Sequence, residues 1–131
     1  MIVEDDVVSQ QLLQQLLVDF GSTDLVSNGH EALEVVKEAI QNELPYDLIC
    51  MDIMTPEMDG MEALHQIRRL EINHFQPGLK IAKIIMITAK GQACDVMGAF
   101  RAGCEAYLIK PICKNKLVEQ LSELGFSRQR T

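Results

Sequence analysis

Short apolar runs rich in branched side chains alternate along this chain with longer segments whose leucines and isoleucines recur at helical spacing. This alternation constrains the fold most, because parallel strands need a crossover connection and that connection is usually a helix. It predicts strands at 1–3, 24–27, 46–51, 83–88 and 106–109, and helices at about 7–20, 29–42, 60–73, 91–103 and 113–124. We therefore expect an α/β fold, with a five-stranded parallel sheet covered by helices on both faces.

Composition narrows the class of protein. A chain of 131 residues with 47% hydrophobic and 24% charged residues has the size and content of one globular domain. Twelve basic and 19 acidic residues give a net charge of −7, which disfavours direct binding to nucleic acid or to an anionic membrane. No apolar run approaches the roughly 18 residues of a membrane helix, and the acidic start is unlike a signal peptide. The cytoplasm is the expected compartment.

The first predicted helix is amphipathic. Its glutamine doublets fall on a solvated face, and its leucines and phenylalanine are expected to line the core face: Leu12, Leu13, Leu16, Leu17 and Phe20.

Polar side chains end four of the predicted strands. The acidic run 4–6 follows the first strand, Asp52 the third, Lys110 the fifth, and Thr88 ends the fourth. Ligands of such sheets bind at the carboxyl ends of the strands, so these groups are expected to converge. Clustered carboxylates repel one another unless a cation offsets the repulsion, and Mg²⁺ prefers such oxygen ligands.

Asp52 is the best nucleophile in this constellation, because it stands alone after a buried strand. A carboxylate beside a metal ion can attack phosphorus and form an aspartyl phosphate. Lys110 and Thr88 are then expected to complement the phosphate oxygens, one as a charge and one as a hydrogen-bond donor.

Four segments in a fixed order carry a resemblance to a known family: VEDD at 3–6, MDIMTPEMDG at 51–60, ITA at 87–89 and YLIKP at 107–111. With them the chain, from Ile2 to about Leu124, resembles the receiver domains of two-component response regulators. The resemblance implies a flavodoxin-like (βα)5 fold with strand order 2-1-3-4-5. It also implies a receiver domain over 1–125, followed by a polar tail or linker at 126–131.

The resemblance further implies a function. Asp52 would accept a phosphoryl group from a histidine kinase or a histidine phosphotransfer protein and so switch the binding of a partner. The domain would catalyse its own Mg²⁺-dependent phosphorylation and slow autodephosphorylation without being a multi-turnover enzyme. The downstream partner would bind over the fourth helix, fifth strand and fifth helix. Three basic residues there mark either this partner surface or an ordinary solvated face: Arg101, Lys114 and Lys116.

Site residues follow position by position from the same resemblance. Asp5 and Asp52 would bind Mg²⁺ directly, Glu4 through water, and the Met54 carbonyl would complete the protein ligands. Thr88 and Lys110 would hold the phosphate, and Tyr107 would be an aromatic switch that follows Thr88. Met54 and Lys90 occupy the positions that tune the lifetime of the phosphorylated state, and Met54 cannot orient a water molecule, which predicts slow dephosphorylation.

Three features depart from the family pattern or leave a choice. Thr55 replaces the usual methionine-type residue, a change that we expect to be tolerated. Only three residues precede Glu4, so that either the sequence begins late or an edge of the sheet is clipped. The acidic pair can also be read one residue later, as Asp5 and Asp6, although the spacing to Ser9 and Gln10 favours Glu4 and Asp5.

Several alternatives to this function make different demands on the sequence. The chain can be a stand-alone regulator or a receiver fragment of a larger regulator or hybrid histidine kinase. A haloacid-dehalogenase-like phosphatase needs a second aspartate where Met54 stands. A flavin-binding module needs a glycine- and hydroxyl-rich loop after the first strand, where this chain has carboxylates. A degenerate scaffold is disfavoured because every expected site residue is present.

Overall fold

The expected strands and helices are all present. The computed structural model describes residues 1–53, 58–74, 78, 80–89 and 96–128. In chain order the elements are β1 Ile2–Val3, α1 Val7–Leu17, β2 Leu25–Val26, α2 Gly29–Gln41, β3 Leu48–Asp52, α3 Gly60–Asn73, β4 Lys83–Ala89, α4 Val96–Ala102, β5 Ala106–Lys110 and α5 Lys114–Glu123. The first part of the fourth predicted helix, 91–95, lies outside the described residues.

All five strands pair in parallel, in the order β2-β1-β3-β4-β5, which confirms the expected fold. β1 is short but does not lie at an edge: Ile2 and Val3 are fully buried and pair with β2 on one side and β3 on the other. The edge strands are β2 and β5.

Apolar residues fill both sides of the sheet. One core cluster packs beneath α2, α3 and α4, around Val36, Leu64 and Met86. The other packs beneath α1 and α5, around Leu13 and Leu117. Both faces are therefore covered by helices, and functional groups are left to the ends of the strands.

The expected core face of α1 is correct except at one position. Leu13 and Leu17 are buried, and Leu16 and Phe20 pack against them, but Leu12 is 36% exposed. Leu12 lies about 100° around the helix from Leu13, and it falls on the same side as the exposed Val8 one turn earlier.

Strand boundaries differ from the predicted boundaries where pairing with a neighbouring strand sets them. β3 begins at Leu48 rather than residue 46, because pairing with β4 begins at Leu48 opposite Lys83. It continues through Asp52, which pairs with Ile87. The proposed nucleophile is therefore the last residue of a strand whose backbone is fixed by a neighbour.

Side-chain caps begin three of the helices, as turn chemistry favours. Asp59 accepts a hydrogen bond from the Glu62 N–H at 2.8 Å at the start of α3, which confirms the helix start predicted there. Asp6 and Asn28 cap α1 and α2 in the same way. In the described part of the chain, no helix combines the length and apolar character that crossing a bilayer requires.

Candidate functional site

Three charged side chains converge at the carboxyl ends of β1, β3 and β5. Lys110 Nζ donates a hydrogen bond to Glu4 Oε2 at 2.9 Å and another to Asp52 Oδ2 at 2.9 Å. Glu4 and Asp52 are almost fully buried, and Lys110 is partly exposed. Glu4 and Lys110 are 106 positions apart in the chain, and they meet because the carboxyl ends of parallel strands lie at one edge of the sheet.

Asp5 joins this group from the solvent side. Glu4, Asp5 and Asp52 each offer a carboxylate oxygen, and these oxygens lie within 4.8 Å of one another. Asp5 is exposed, whereas the other two are buried. Three hard oxygen donors so close together are a suitable donor set for Mg²⁺, which keeps several waters and binds through few carboxylates.

Burial and neighbouring charges shift the pKa values of Glu4 and Lys110. Burial raises the pKa of the Glu4 carboxyl to about 7, and the neighbouring Asp52 adds to the increase, while Lys110 and the Asp6 N–H act against it. Burial alone lowers the pKa of Lys110, but its hydrogen bonds to Glu4 and Asp52 outweigh this, so that its pKa is raised overall. One positive charge therefore leaves the three carboxylates incompletely neutralised.

Thr88 and Tyr107 lie on one face of the sheet, and Thr88 directly follows Ile87, the residue that pairs with Asp52. Tyr107 pairs with Met86 across β4 and β5, so Thr88, two residues further along β4, is its diagonal neighbour on the same face. Thr88 is 2% exposed, and no group in the described residues lies within hydrogen-bonding reach of its Oγ1. Tyr107 is half-buried against the core beneath α2 and α3.

The geometry also bears on which two neighbouring carboxylates form the acidic pair of the site, Glu4 and Asp5 or Asp5 and Asp6. Asp6 Oδ2 accepts hydrogen bonds from the Ser9 N–H at 3.0 Å and from Ser9 Oγ at 2.8 Å, so it serves α1 as a cap. These bonds lower the pKa of the Asp6 carboxyl. Glu4, in contrast, contacts Lys110. The arrangement favours Glu4 and Asp5 as the acidic pair of the site.

Two contacts around the site were not anticipated from the sequence. The side-chain amide of Gln10 donates to the Glu4 carbonyl oxygen, and the Asp6 N–H donates to Glu4 Oε1 at 3.1 Å. The helical pattern puts Gln10 on the solvated face of α1, because nothing in that pattern shows which glutamine reaches back to the preceding loop. For the Asp6 cap of α1, in contrast, the spacing of Asp6 and Ser9 was an available signal in the sequence.

Gly60, the first residue of α3, lies in close contact with the main chain at the end of β3. Its N–H donates to the Ile53 carbonyl at 2.7 Å, and a Cβ at this position would lie 2.7 Å from the Asp52 carbonyl oxygen. Only glycine allows the start of α3 to approach the end of β3 so closely. Met54, Thr55 and Lys90 lie outside the described residues, so the expectations for a carbonyl ligand, for the turn and for phosphate lifetime stay predictions.

Comparison with known proteins gives a consistent result. The sequence profile of a family described as "Response regulator receiver domain" matches residues 1–122. The "Chemotaxis protein CheY" of Thermotoga maritima is 32% identical over 127 residues, covering 95% of this chain and 95% of that protein. A relative named "Probable transcriptional regulator ycf29", from Porphyra purpurea, is 35% identical over 95% of this chain, but the chain spans only 54% of its length.

Solved structures of receiver domains also resemble this chain. The receiver domain of the Saccharomyces cerevisiae response regulator Ssk1, in complex with the histidine phosphotransfer protein Ypd1, aligns with a TM-score of 0.78 and 32% identity. That match covers 95% of this chain and 86% of the other. The receiver domain of a Pseudomonas aeruginosa sensor histidine kinase, with a magnesium ion in its active-site cleft, aligns with a TM-score of 0.73 and 28% identity over 95% and 94%.

Proposed function

This chain belongs to the response regulator receiver domain family of two-component phosphorelay signalling, and from that premise we propose that Asp52 is its phosphoacceptor. The observation that carries the proposal is the pairing of Lys110 Nζ with both Glu4 and Asp52 at 2.9 Å, at the edge where the strands end. A buried carboxylate held by a lysine in an acidic cluster suits phosphoryl transfer. Intact mass after incubation with Mg²⁺ and phosphoramidate tests it, with Asp52→Asn as the comparison.

The proposed transfer is a direct displacement. A carboxylate oxygen of Asp52 attacks the phosphorus of a phosphohistidine, an O–P bond forms, and the P–N bond breaks. The bonding electron pair leaves with the imidazole nitrogen, which takes a proton to become neutral imidazole. Lys110 and the Thr88 hydroxyl then hold the phosphoryl oxygens, which gives a role to the buried Thr88 Oγ1 at the end of the strand that pairs with β3.

We further propose that Mg²⁺ is held by Glu4, Asp5 and Asp52. The donor set fits, because its oxygens lie within 4.8 Å of one another and Lys110 supplies a single positive charge. When bound, the ion would neutralise charge that develops on the transferring phosphoryl group.

Mg²⁺ binding is expected to weaken in acid. The pKa of Glu4 is raised from 4.5 to about 7. The folded state therefore holds the proton of this carboxyl more tightly than the unfolded chain does, and the stability that this contributes is lost as pH rises through 7. Bound Mg²⁺ requires the ionised form, so its dissociation constant is expected to increase about tenfold from pH 8 to pH 6. Isothermal titration calorimetry with MgCl₂ at both pH values measures this. Glu4→Gln is the control that removes the pH dependence, and equal affinities for the wild-type chain would contradict the prediction.

We propose that the phosphodonor docks on an exposed apolar surface at the start of α1, formed by Val7, Val8 and Leu12. Val7 and Val8 are 61% and 73% exposed, and they follow Asp5 and Asp6 directly. A donor histidine has to approach Asp52 from this end of the sheet, so an apolar surface beside the cleft suits a helical protein donor.

Val8→Ser is expected to slow transfer from a protein donor about tenfold, because it removes apolar contact area at the centre of this surface. Transfer from phosphoramidate is expected to be unchanged, because that donor needs no docking surface. The measurement is the rate of transfer from a phosphorylated histidine phosphotransfer protein that serves the wild-type chain. Val18→Ser, at the exposed opposite end of α1, is the matched control. Equal slowing with both donors would place the effect in the site instead.

The output surface is proposed to lie on α4, β5 and α5. Met97, Phe100 and Ile109 are exposed there, and the basic residues expected to surround it are exposed as well: Arg101, Lys114 and Lys116. Movement of Thr88 toward the phosphate would free space for Tyr107 and so link the site to this surface. We propose that the receiver unit extends over 1–125 with a tail from 126, and that it acts alone or as part of a larger regulator or kinase.

A further inference from the structure

We propose that Gln10 is a positioning residue for the Asp5 carboxylate and, through it, for the divalent cation of the acidic site. The inference rests on the proposed function. Gln10 lies in α1 and is half-buried. Its main-chain N–H makes the ordinary helical bond to the Asp6 carbonyl at 2.9 Å, while its side-chain amide donates to the carbonyl oxygen of Glu4.

The Glu4 carbonyl belongs to the peptide group that joins Glu4 to Asp5. A peptide group is planar, so a hydrogen bond that fixes its oxygen also fixes the direction in which the chain enters Asp5. The next peptide group, between Asp5 and Asp6, is held by the bond from the Asp6 N–H to Glu4 Oε1 at 3.1 Å. Both peptide groups that flank Asp5 are thus held by side chains, one by Gln10 and one by Glu4.

Asp5 needs such support because its side chain is exposed, whereas Glu4 and Asp52 are buried. An exposed carboxylate gains little orientation from packing, so its direction follows from its backbone. α1 itself does not need the Gln10 amide, since the helix begins with the Asp6 cap and continues with main-chain bonds. Loss of the amide is therefore expected to change cation binding more than folding.

The test is Gln10→Met, which keeps the length of the side chain but has no N–H donor. Gln11→Met, on the exposed neighbouring glutamine, is the matched control. The dissociation constant for MgCl₂, measured by calorimetry at pH 8, is expected to increase about tenfold in Gln10→Met, the lower end for loss of a supporting contact, and to stay unchanged in the control. The Mg²⁺ concentration giving half-maximal phosphorylation by phosphoramidate should increase equally, with the same maximal rate.

The results separate this inference from the proposed function. If the wild-type chain neither binds Mg²⁺ nor gains a phosphoryl group, the proposed function fails. If the wild-type chain does both and Gln10→Met binds Mg²⁺ within twofold of it, the positioning role is overturned, whatever happens to stability in urea. If Gln10→Met does not fold, the pair Gln10→Ala and Gln11→Ala decides by the same comparison of dissociation constants.

Discussion

Replacing Asp52 by asparagine is expected to abolish the mass gain of one phosphoryl group that Mg²⁺ and phosphoramidate produce in the wild-type chain. The amide nitrogen and oxygen of asparagine are poor nucleophiles, so no O–P bond forms at this position. The loss should be on the order of a thousandfold or more in rate, as for removal of other covalent nucleophiles. Intact-mass spectrometry over a time course measures it directly.

Asp19→Asn is the control for this experiment, because it makes the same chemical change on an exposed side chain away from the site. It is expected to be phosphorylated at the wild-type rate. Circular dichroism should show that both variants are folded. A phosphoryl group on Asp52→Asn at an undiminished rate would refute Asp52 as the acceptor, and peptide mapping would then locate the residue that carries it.

The second large effect is expected in stability, at the opposite end of the sheet. Arg68 of α3 donates to the Gly103 carbonyl at 2.7 Å and to the Ala82 carbonyl at 2.9 Å. It also forms ion pairs with Glu71 at 2.6 Å and Glu105 at 2.8 Å. One guanidinium therefore connects α3 to the segments that precede β4 and β5.

The two carboxylates of this network also bind main-chain donors. Glu71 Oε2 accepts from the Ala82 N–H at 2.9 Å, and Glu105 Oε2 accepts from the Ile84 N–H at 2.6 Å. Removal of Arg68 would leave both carboxylates partly buried without their cation. Removing one partner of a buried ion pair is costly for this reason, although partial exposure reduces the effect.

Arg68→Met is expected to lower the free energy of unfolding by about 2–4 kcal/mol, because it breaks the network and leaves these carboxylates uncompensated. Arg69→Met is the matched control, since it removes the same charge from the exposed neighbouring residue and should change stability by no more than about 0.5 kcal/mol. Urea denaturation followed by circular dichroism measures both. Equal midpoints for the two variants would contradict the role of the network.

The sequence predicted the architecture because the fold depends on patterns that repeat along the chain. Branched apolar runs and helical periodicity placed all five strands and five helices, and the polar residues that end the strands indicated which side chains would meet. Glu4, Asp52 and Lys110 do meet, since a parallel sheet brings successive strand ends to one edge. Boundaries were less accurate, because the start of β3 is set by its pairing with β4 rather than by local pattern.

What the sequence did not predict are contacts between residues whose local patterns are ordinary. Gln10 and Arg68 each look like a polar residue on the outer face of an amphipathic helix, yet one holds a loop carbonyl and the other connects α3 to two strands.

The sequence by itself thus determined the order of elements, the two apolar faces and the acidic and basic groups delivered to one edge of the sheet. Only the tertiary structure decided which oxygens Lys110 contacts, how Glu4 is buried, and which side chains form hydrogen bonds with the peptide groups on either side of Asp5. The physical reason is range: periodicity and capping act over a few residues, whereas ion pairs and hydrogen bonds depend on distances of about 3 Å between segments far apart in the chain.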